Sequence, residues 1–231
     1  MKKSKHDCDL QSCFFCKGCM PEWLPAIDAN RKTFEVKKGE VIFTEGEKVT
    51  GIYFVNSGKI KVHKKWDDDK ELILRFANQG AIVGHRGLST FNDIYPVSGT
   101  AIEPSRVCFI DIEFFRSSLK VNNDFTFNLM MFFADEFQLS EKKMRNLAHM
   151  SVKGRVAQSL LTLQEKFGTT KDGYLDITIS RQDLASFSGT TYETVFRILN
   201  ELTEDKAIQI AEKKILINNI NKLKSYTDEQ A

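Results

Sequence analysis

The chain has 231 residues, 42% hydrophobic and 28% charged, which is enough apolar content for a real core and a length suited to two modest domains. No apolar run approaches the roughly eighteen residues of a membrane span, and the opening MKKSKHDCDLQSCFFC lacks the uninterrupted apolar stretch of a signal peptide, so a cytoplasmic protein with no membrane contact is expected. A formal net charge of +2 neither announces nor excludes a nucleic-acid binder, because one basic face is compatible with an acidic remainder.

Residues 1–31 are cysteine-rich. Cys8, Cys13, Cys16 and Cys19 crowd together and a fifth cysteine, Cys108, stands far away. An odd total in a reducing compartment argues against a disulfide framework and for metal or redox chemistry. Residues 32–113 read as an all-β domain. Short β-branched and aromatic runs, Val41–Phe43, Ile52–Val55, Lys59–His63, Leu72–Phe76, Ala81–Val83 and Val107–Ile110, are punctuated by glycines, the rhythm of a sandwich or barrel. Asn56-Ser57-Gly58 marks a hairpin. Over residues 114–150, Phe125, Leu129, Phe132, Phe133, Phe137, Met144 and Leu147 recur at helical spacing with no glycine or proline. Such a stripe either docks on the barrel or packs against a twin, and its length favours a dimerisation helix.

Residues 151–220 read as helix to Phe167, a short strand Tyr174–Ile179, and two helices around a tight turn. Ser180-Arg181-Gln182-Asp183 has the form of an N-cap, Gly189 breaks the helix, and Thr190 or Thr191 caps the next, which runs to about Asp205. That is helix-turn-helix grammar. Ala207–Ala211 and Lys214–Ile217 alternate around Glu212-Lys213 as a wing, and residues 221–231 form a tail. On the second helix Glu193 and Arg197 share a face; a carboxylate accepts from cytosine N4 and a guanidinium donates twice to guanine. The same two residues also suit a plain i,i+4 ion pair, and Glu193 suits a capping box with Thr190. Thr191 and Thr194 are placed for phosphate near the helix N-terminus. Ser180, Arg181, Gln182, Tyr192 and Phe196 complete the candidate DNA-contacting set, with Lys153 and Lys213 as candidate phosphate ligands.

The run Ile179-Ser180-Arg181-Gln182-Asp183-Leu184-Ala185, with Gly189 and Glu193-Thr194-Val195-Phe196-Arg197-Ile198-Leu199, resembles the helix-turn-helix of the Crp/Fnr regulators. Gly39-Glu40-Val41-Ile42-Phe43-Thr44-Glu45-Gly46 through Ile52-Tyr53-Phe54-Val55-Asn56-Ser57-Gly58 resembles the start of their β-roll. The resemblance covers about Lys32 to Asn218. It implies an α+β fold: an N-terminal double-stranded β-helix, the jelly roll of cyclic-nucleotide-binding domains, then a long dimerisation helix and a C-terminal winged helix-turn-helix. It further implies a homodimer on double-stranded DNA with a palindromic operator of TGA-like half-sites, and RNA polymerase as a partner. An enzyme on a cupin-like barrel is disfavoured, since His63 and His85 have no evident carboxylate partners in the sequence.

Members that bind cyclic AMP carry a glutamate and an arginine in one glycine-rich cassette. Here His85 falls at the glutamate position and no arginine lies near Pro96, which disfavours a cyclic nucleotide. The oxygen-sensing branch holds a [4Fe-4S] cluster on N-terminal cysteines plus one in the β-roll. By that resemblance Cys13, Cys16 and Cys19 would act with Cys108, which sits in the similar segment Ser105-Arg106-Val107-Cys108. The family's last N-terminal gap is longer than the one here, and Cys8 is an alternative ligand. Cys8, Cys13 and Cys16 with a remote Cys108 also fit [2Fe-2S] spacing, the four N-terminal cysteines alone fit zinc, and metal-free redox thiols stay open. Haem on His63 or His85, as in gas-sensing branches, is a further alternative, and Cys108 also suits a small buried hydrophobe. The signals implied are oxygen, nitric oxide or redox state.

Overall fold

A computed structural model describes residues 1–4, 8–67 and 70–227. The end of the expected tail, residues 228–231, lies outside them. The chain forms two compact units, Met1–Phe137 and Gln138–Ala231. Among the described residues no helix is long and apolar enough to cross a membrane.

The first unit opens with β1 (Lys2–Ser4), α1 (Phe14–Gly18) and α2 (Leu24–Asn30). Then come β2 (Arg31–Val36), β3 (Val41–Phe43), β4 (Gly51–Ser57), β5 (Ile60–Lys65), β6 (Glu71–Ala77), β7 (Ile82–Val83), β8 (Ser98–Ala101) and β9 (Ser105–Asp111). The strands make two antiparallel sheets, one ordered β1-β2-β9-β4-β7 and one ordered β3-β8-β5-β6, the double-sheet roll expected from the punctuated β pattern. β2 and β8 extend beyond the runs legible in sequence. The Ser-Gly-Thr-Ala of β8 carries little β-forming signal and is a strand because it pairs on both edges.

Side chains alternate across β4 and β9, so both faces of that sheet are covered. Tyr53, Val55, Val83 and Val107 point into the core between the sheets. Ile52, Phe54, Ile82, Cys108 and Ile110 point outward, into a second core formed with Cys13, Phe15, Cys16, Cys19 and Ile27 of the N-terminal segment and with Phe115, Phe125 and Leu129. The fully buried run Gly51–Val55 is the signature of a strand apolar on both faces.

The helix expected from residue 114 is two helices, α3 (Ile112–Val121) and α4 (Asn123–His149). They are separated at Asn122, whose φ of −111° and ψ of 83° leave the helical region. Within the first unit, α4 buries Phe125 and Leu129 on the roll while Phe127, Met130, Met131 and Phe137 are exposed. The aromatic stripe thus divides between the two expected uses: one side docks and the other is open.

The second unit contains the end of α4, α5 (Val152–Phe167), α6 (Arg181–Ser188), α7 (Tyr192–Glu204), the hairpin β10 (Ile208–Ala211) and β11 (Lys214–Ile217), and α8 (Ile220–Thr227). The expected strand Tyr174–Ile179 is not a strand. Leu175, Ile177 and Ile179 are buried in alternation, but among the described residues only the isolated bridges Thr169–Leu175 and Tyr174–Leu216 form, so the segment has the burial pattern of a strand without its ladder. Part of the expected tail is α8, whose single buried residue Leu223 is too little periodicity to read from sequence.

Candidate functional site

The N-terminal cysteines are held against the roll by backbone geometry. Cys13 caps α1, and its N–H donates to Asp9 O at 3.0 Å while the Phe14 N–H donates to Gly80 O at 2.9 Å. Gly80 has a φ of +85°, and a Cβ there would stand 2.2 Å from Ser12 O, so only glycine admits the cysteine segment so closely. Phe14 and Phe15, the two residues between Cys13 and Cys16, anchor it. Phe15 stacks on Phe54 with centroids 5.2 Å apart and meets Phe125 edge-on at 5.0 Å, and Phe14 contacts Phe125 and Phe132 at 5.8 and 5.3 Å.

The thiols of Cys8, Cys13 and Cys16 all lie within 4.8 Å of one another, with Cys8 and Cys16 Sγ 3.7 Å apart. Cys108 lies near them by register: it sits between Thr33 of β2 and Phe54 of β4 on the outward face of the sheet and shares a narrow cleft with Cys8 and Cys13. Cys19 is buried beside this group but outside it. Its thiol is pushed up to about 12, first by burial and then by Cys13.

Within the group the thiols differ. Cys108 is held below its ordinary value, chiefly by Cys8. The hydrogen bond with Cys108 pushes Cys8 up, yet Cys13 and Cys16 outweigh it and leave Cys8 lowered. Cys16 is pushed up by Cys13, by Cys8 and by burial. For Cys13 the bond from Cys16 lowers the thiol, but Cys8 and burial prevail and it stands at about 11. A metal therefore displaces protons on binding. Three sulfurs that meet one another, with Cys108 from a distant part of the chain lining the same cleft as Cys8 and Cys13, suit thiolate metal chemistry.

Elsewhere in the roll, His63 is not without partners: Nε2 lies 2.9 Å from Thr100 Oγ1 and Nδ1 lies 2.8 Å from Glu71 Oε2. His85 is 1% exposed, and neither ring nitrogen has a hydrogen-bond partner among the described residues. Its ring is pinned edge-on by Phe132 and Phe133. Burial, then Arg75 and Arg86, hold it well below the usual histidine value. Both guanidiniums converge on one carboxylate oxygen of Glu136 in α4, at 3.4 Å for Arg75 and 3.0 Å for Arg86.

In the second unit the turn between α6 and α7 is built as the sequence suggests. Ser180 Oγ accepts from the Asp183 N–H at 2.9 Å. Gly189 ends α6 in the left-handed region at φ 65°. Arg155 of α5 donates to Ser188 O at 3.0 Å and Gly189 O at 3.2 Å, clamping the turn. Thr191 rather than Thr190 caps α7, accepting from the Thr194 N–H at 3.3 Å.

Val195, Ile198, Leu199 and Leu202 bury one face of α7, while Tyr192, Glu193, Phe196 and Arg197 lie on the open one. Arg197 pairs with Glu201, one turn further along, and not with Glu193. Glu193 is free of that pair and is held below the usual carboxylate range by backbone N–H and by Thr191. Arg181 lies over the Phe196 ring at 5.6 Å, and Gln182 is exposed beside it. Lys153 is engaged internally, 3.1 Å from Asp205 and 3.5 Å from Glu201. Lys213 sits at the exposed tip of the wing. Arg155 and Glu136 carry no signal in the sequence, since only the fold supplies their partners, whereas Glu201 lies one helical turn from Arg197, the same spacing as Glu193.

Residues 33–122 match the cyclic nucleotide-binding domain and residues 154–226 the Crp-like helix-turn-helix domain. The chain is 34% identical over 175 residues, 75% of its length and 83% of the relative's, to the cAMP-activated global transcriptional regulator CRP of Salmonella typhimurium. It is 30% identical over 200 residues, 85% of this chain and 83% of the other, to the anaerobic regulatory protein of Bacillus subtilis. Among solved structures, FixK2 from Bradyrhizobium japonicum superposes with a TM-score of 0.77 at 23% identity, covering 87% of this chain and 99% of that one. A CooA mutant from Carboxydothermus hydrogenoformans gives 0.73 at 19% identity, covering 88% and 90%.

Proposed function

The chain belongs to the Crp/Fnr family, whose members are DNA-binding transcription regulators and not enzymes, and we propose that its thiol group holds an iron–sulfur cluster sensing oxygen, nitric oxide or redox state. The observation that carries this is the meeting of Cys8, Cys13 and Cys16, with Cys108 of the roll lining the same cleft as Cys8 and Cys13. Such a ligand set ties the N-terminal segment to β9. When bound, the cluster supplies an oxidisable centre. The protein's own part is to position the four thiolates, to shield them with Phe15 and Phe54, and to seat Phe14 and Phe15 against α4. Loss of the centre frees that segment and changes how α4 is presented.

Cyclic nucleotide is not the ligand in this reading. His85 is buried and uncharged, and the neighbouring guanidiniums are committed to Glu136, leaving a nucleotide phosphate without a cation. The protein acts as a cytoplasmic homodimer along α4, places one α7 in each half of a palindromic operator, and engages RNA polymerase. Arg197, oriented by Glu201, donates to guanine; Glu193 accepts from cytosine; Thr191, Thr194, Ser180, Arg181 and Gln182 contact the backbone.

One observation favours a second reading of the metal. A tetrahedral zinc with bonds near 2.3 Å has sulfurs about 3.8 Å apart, close to the 3.7 Å between Cys8 and Cys16. Anaerobic purification with an absorption spectrum and iron, sulfide and zinc analysis on one sample decides. Iron with equal sulfide, lost in Cys16→Ser and Cys108→Ser but kept in Cys19→Ser, is expected. Zinc without sulfide selects the second reading. Neither metal removes both and leaves the regulator.

A further inference from the structure

Helix α7 carries an uncharged strip beside Glu193 and Arg197. Tyr192 and Phe196 stand one turn apart and are 44% and 46% exposed. The opposite face of the helix is already fully apolar and buried, so packing of this unit does not require them. Side chains of this size usually bury most of their surface or wait for a partner that does so. The Phe196 ring is also held: Arg181, the first residue of α6, lies over it at 5.6 Å. This contact fixes the ring and sets a cation at the edge of the strip.

The partner follows from chemistry. Bases present hydrogen-bond donors and acceptors in the major groove, and the one apolar group there is the C5 methyl of thymine. A phenyl ring has no use for the polar code, and a tyrosine ring adds a single hydroxyl to an apolar body. We propose that Tyr192 and Phe196 each read the 5-methyl group of a thymine in every half-site, beside the pair contacted by Arg197, with Arg181 holding the Phe196 ring in position. The inference rests on α7 being the DNA-reading helix, and it makes the flanking bases of the operator a consequence of two aromatic rings rather than of hydrogen bonds.

The experiment uses the full-length protein, purified anaerobically. A preferred site is first selected from random DNA, and each thymine of one half-site is then replaced in turn by deoxyuridine, which removes only the methyl. Binding is expected to weaken about fourfold at each of two positions, the worth of one buried methyl. Phe196→Ala should bind the thymine and uracil forms equally at one of these positions, and Tyr192→Ala at the other. Phe196→Leu and Tyr192→Phe, which keep an apolar contact, should retain the preference. Replacing thymine by 5-methylcytosine should bind better than replacing it by cytosine. A preferred site indifferent to every uracil replacement overturns the methyl contact while leaving α7 in the groove. Equal uracil sensitivity in wild type and both alanine variants overturns the assignment to these rings. Failure to select any site removes the reading of α7, and this proposal falls with it.

Discussion

Glu71 illustrates how one residue's environment sets its titration. Burial alone would raise its pKa, but hydrogen bonds from His63 and Lys61 outweigh it and bring the carboxyl to about 2 from its ordinary 4.5. The folded state therefore prefers the ionised form. The stability that this supplies is present above about pH 4.5, shrinks as the pH falls, and is gone below about 2. Wild-type protein should lose thermal stability across that window, and Glu71→Gln should lose less; equal slopes in the two would show that the carboxylate is not held as described. None of these partners was legible in sequence. His63 was readable as a lone histidine, and Glu71 as an ordinary strand charge, because the pairing of β5 with β6 and β8 is what brings Lys61, His63, Glu71 and Thr100 together. For Arg197, the i,i+4 neighbours on both sides are glutamates, and the ion pair expected with Glu193 forms with Glu201 instead.

Among the elements, the junction of α3 and α4 has the clearest structural role. Asn122 is 3% exposed. Its side-chain oxygen accepts from the Met20 N–H at 3.0 Å and its amide donates to Ser118 O at 3.0 Å. Ser118 in turn accepts from the Trp23 indole at 3.0 Å. The helix break thus doubles as the tether of the cysteine-bearing segment. Asn122→Ala would leave the Met20 N–H without its partner, at about 1–3 kcal/mol. The expected outcome is a lower denaturation midpoint and faster proteolytic cleavage within residues 1–31; an unchanged midpoint and cleavage rate would refute the tether. The break escaped the sequence reading because no glycine or proline marks it. Helical periodicity continues across Asn122, and the interruption comes from a tertiary hydrogen bond to a segment about a hundred residues away.

At the scale of the whole molecule, α4 presents Phe127, Met130, Ala134, Phe137, Glu141 and Met144 on exposed positions spaced alternately three and four residues apart, the seam spacing of two helices packing together. The opposite side holds Phe125 and Phe132 against Phe14 and Phe15 of the cysteine segment. A single helix therefore faces the thiol group on one side and the proposed twin on the other. Phe137→Glu should sediment as a monomer and bind operator DNA at least tenfold more weakly, and, on the proposed cluster reading, chelating the metal from wild type should shift sedimentation the same way. A Phe137→Glu dimer of undiminished affinity would place the dimer contact elsewhere.

What the sequence determined by itself is whatever depends on local pattern. The two-domain order, the glycine-punctuated roll, the caps of α6 and α7, the wing, and a concentration of cysteines near the start are all carried by periodicity, capping residues and composition. These are properties of neighbours along the chain. Only the tertiary structure decided which thiols meet and which side of α4 stays open. Cys8 joins Cys13 and Cys16 while Cys19 stays outside, although the family resemblance puts Cys19 in the ligand set and Cys8 only as an alternative. The difference arises because α1 buries Cys13 and Cys16 against the sheet, on the face to which strand parity sends Cys108. Parity and helix direction are set by burial on both faces of the five-stranded sheet, a constraint that exists only once distant segments have packed.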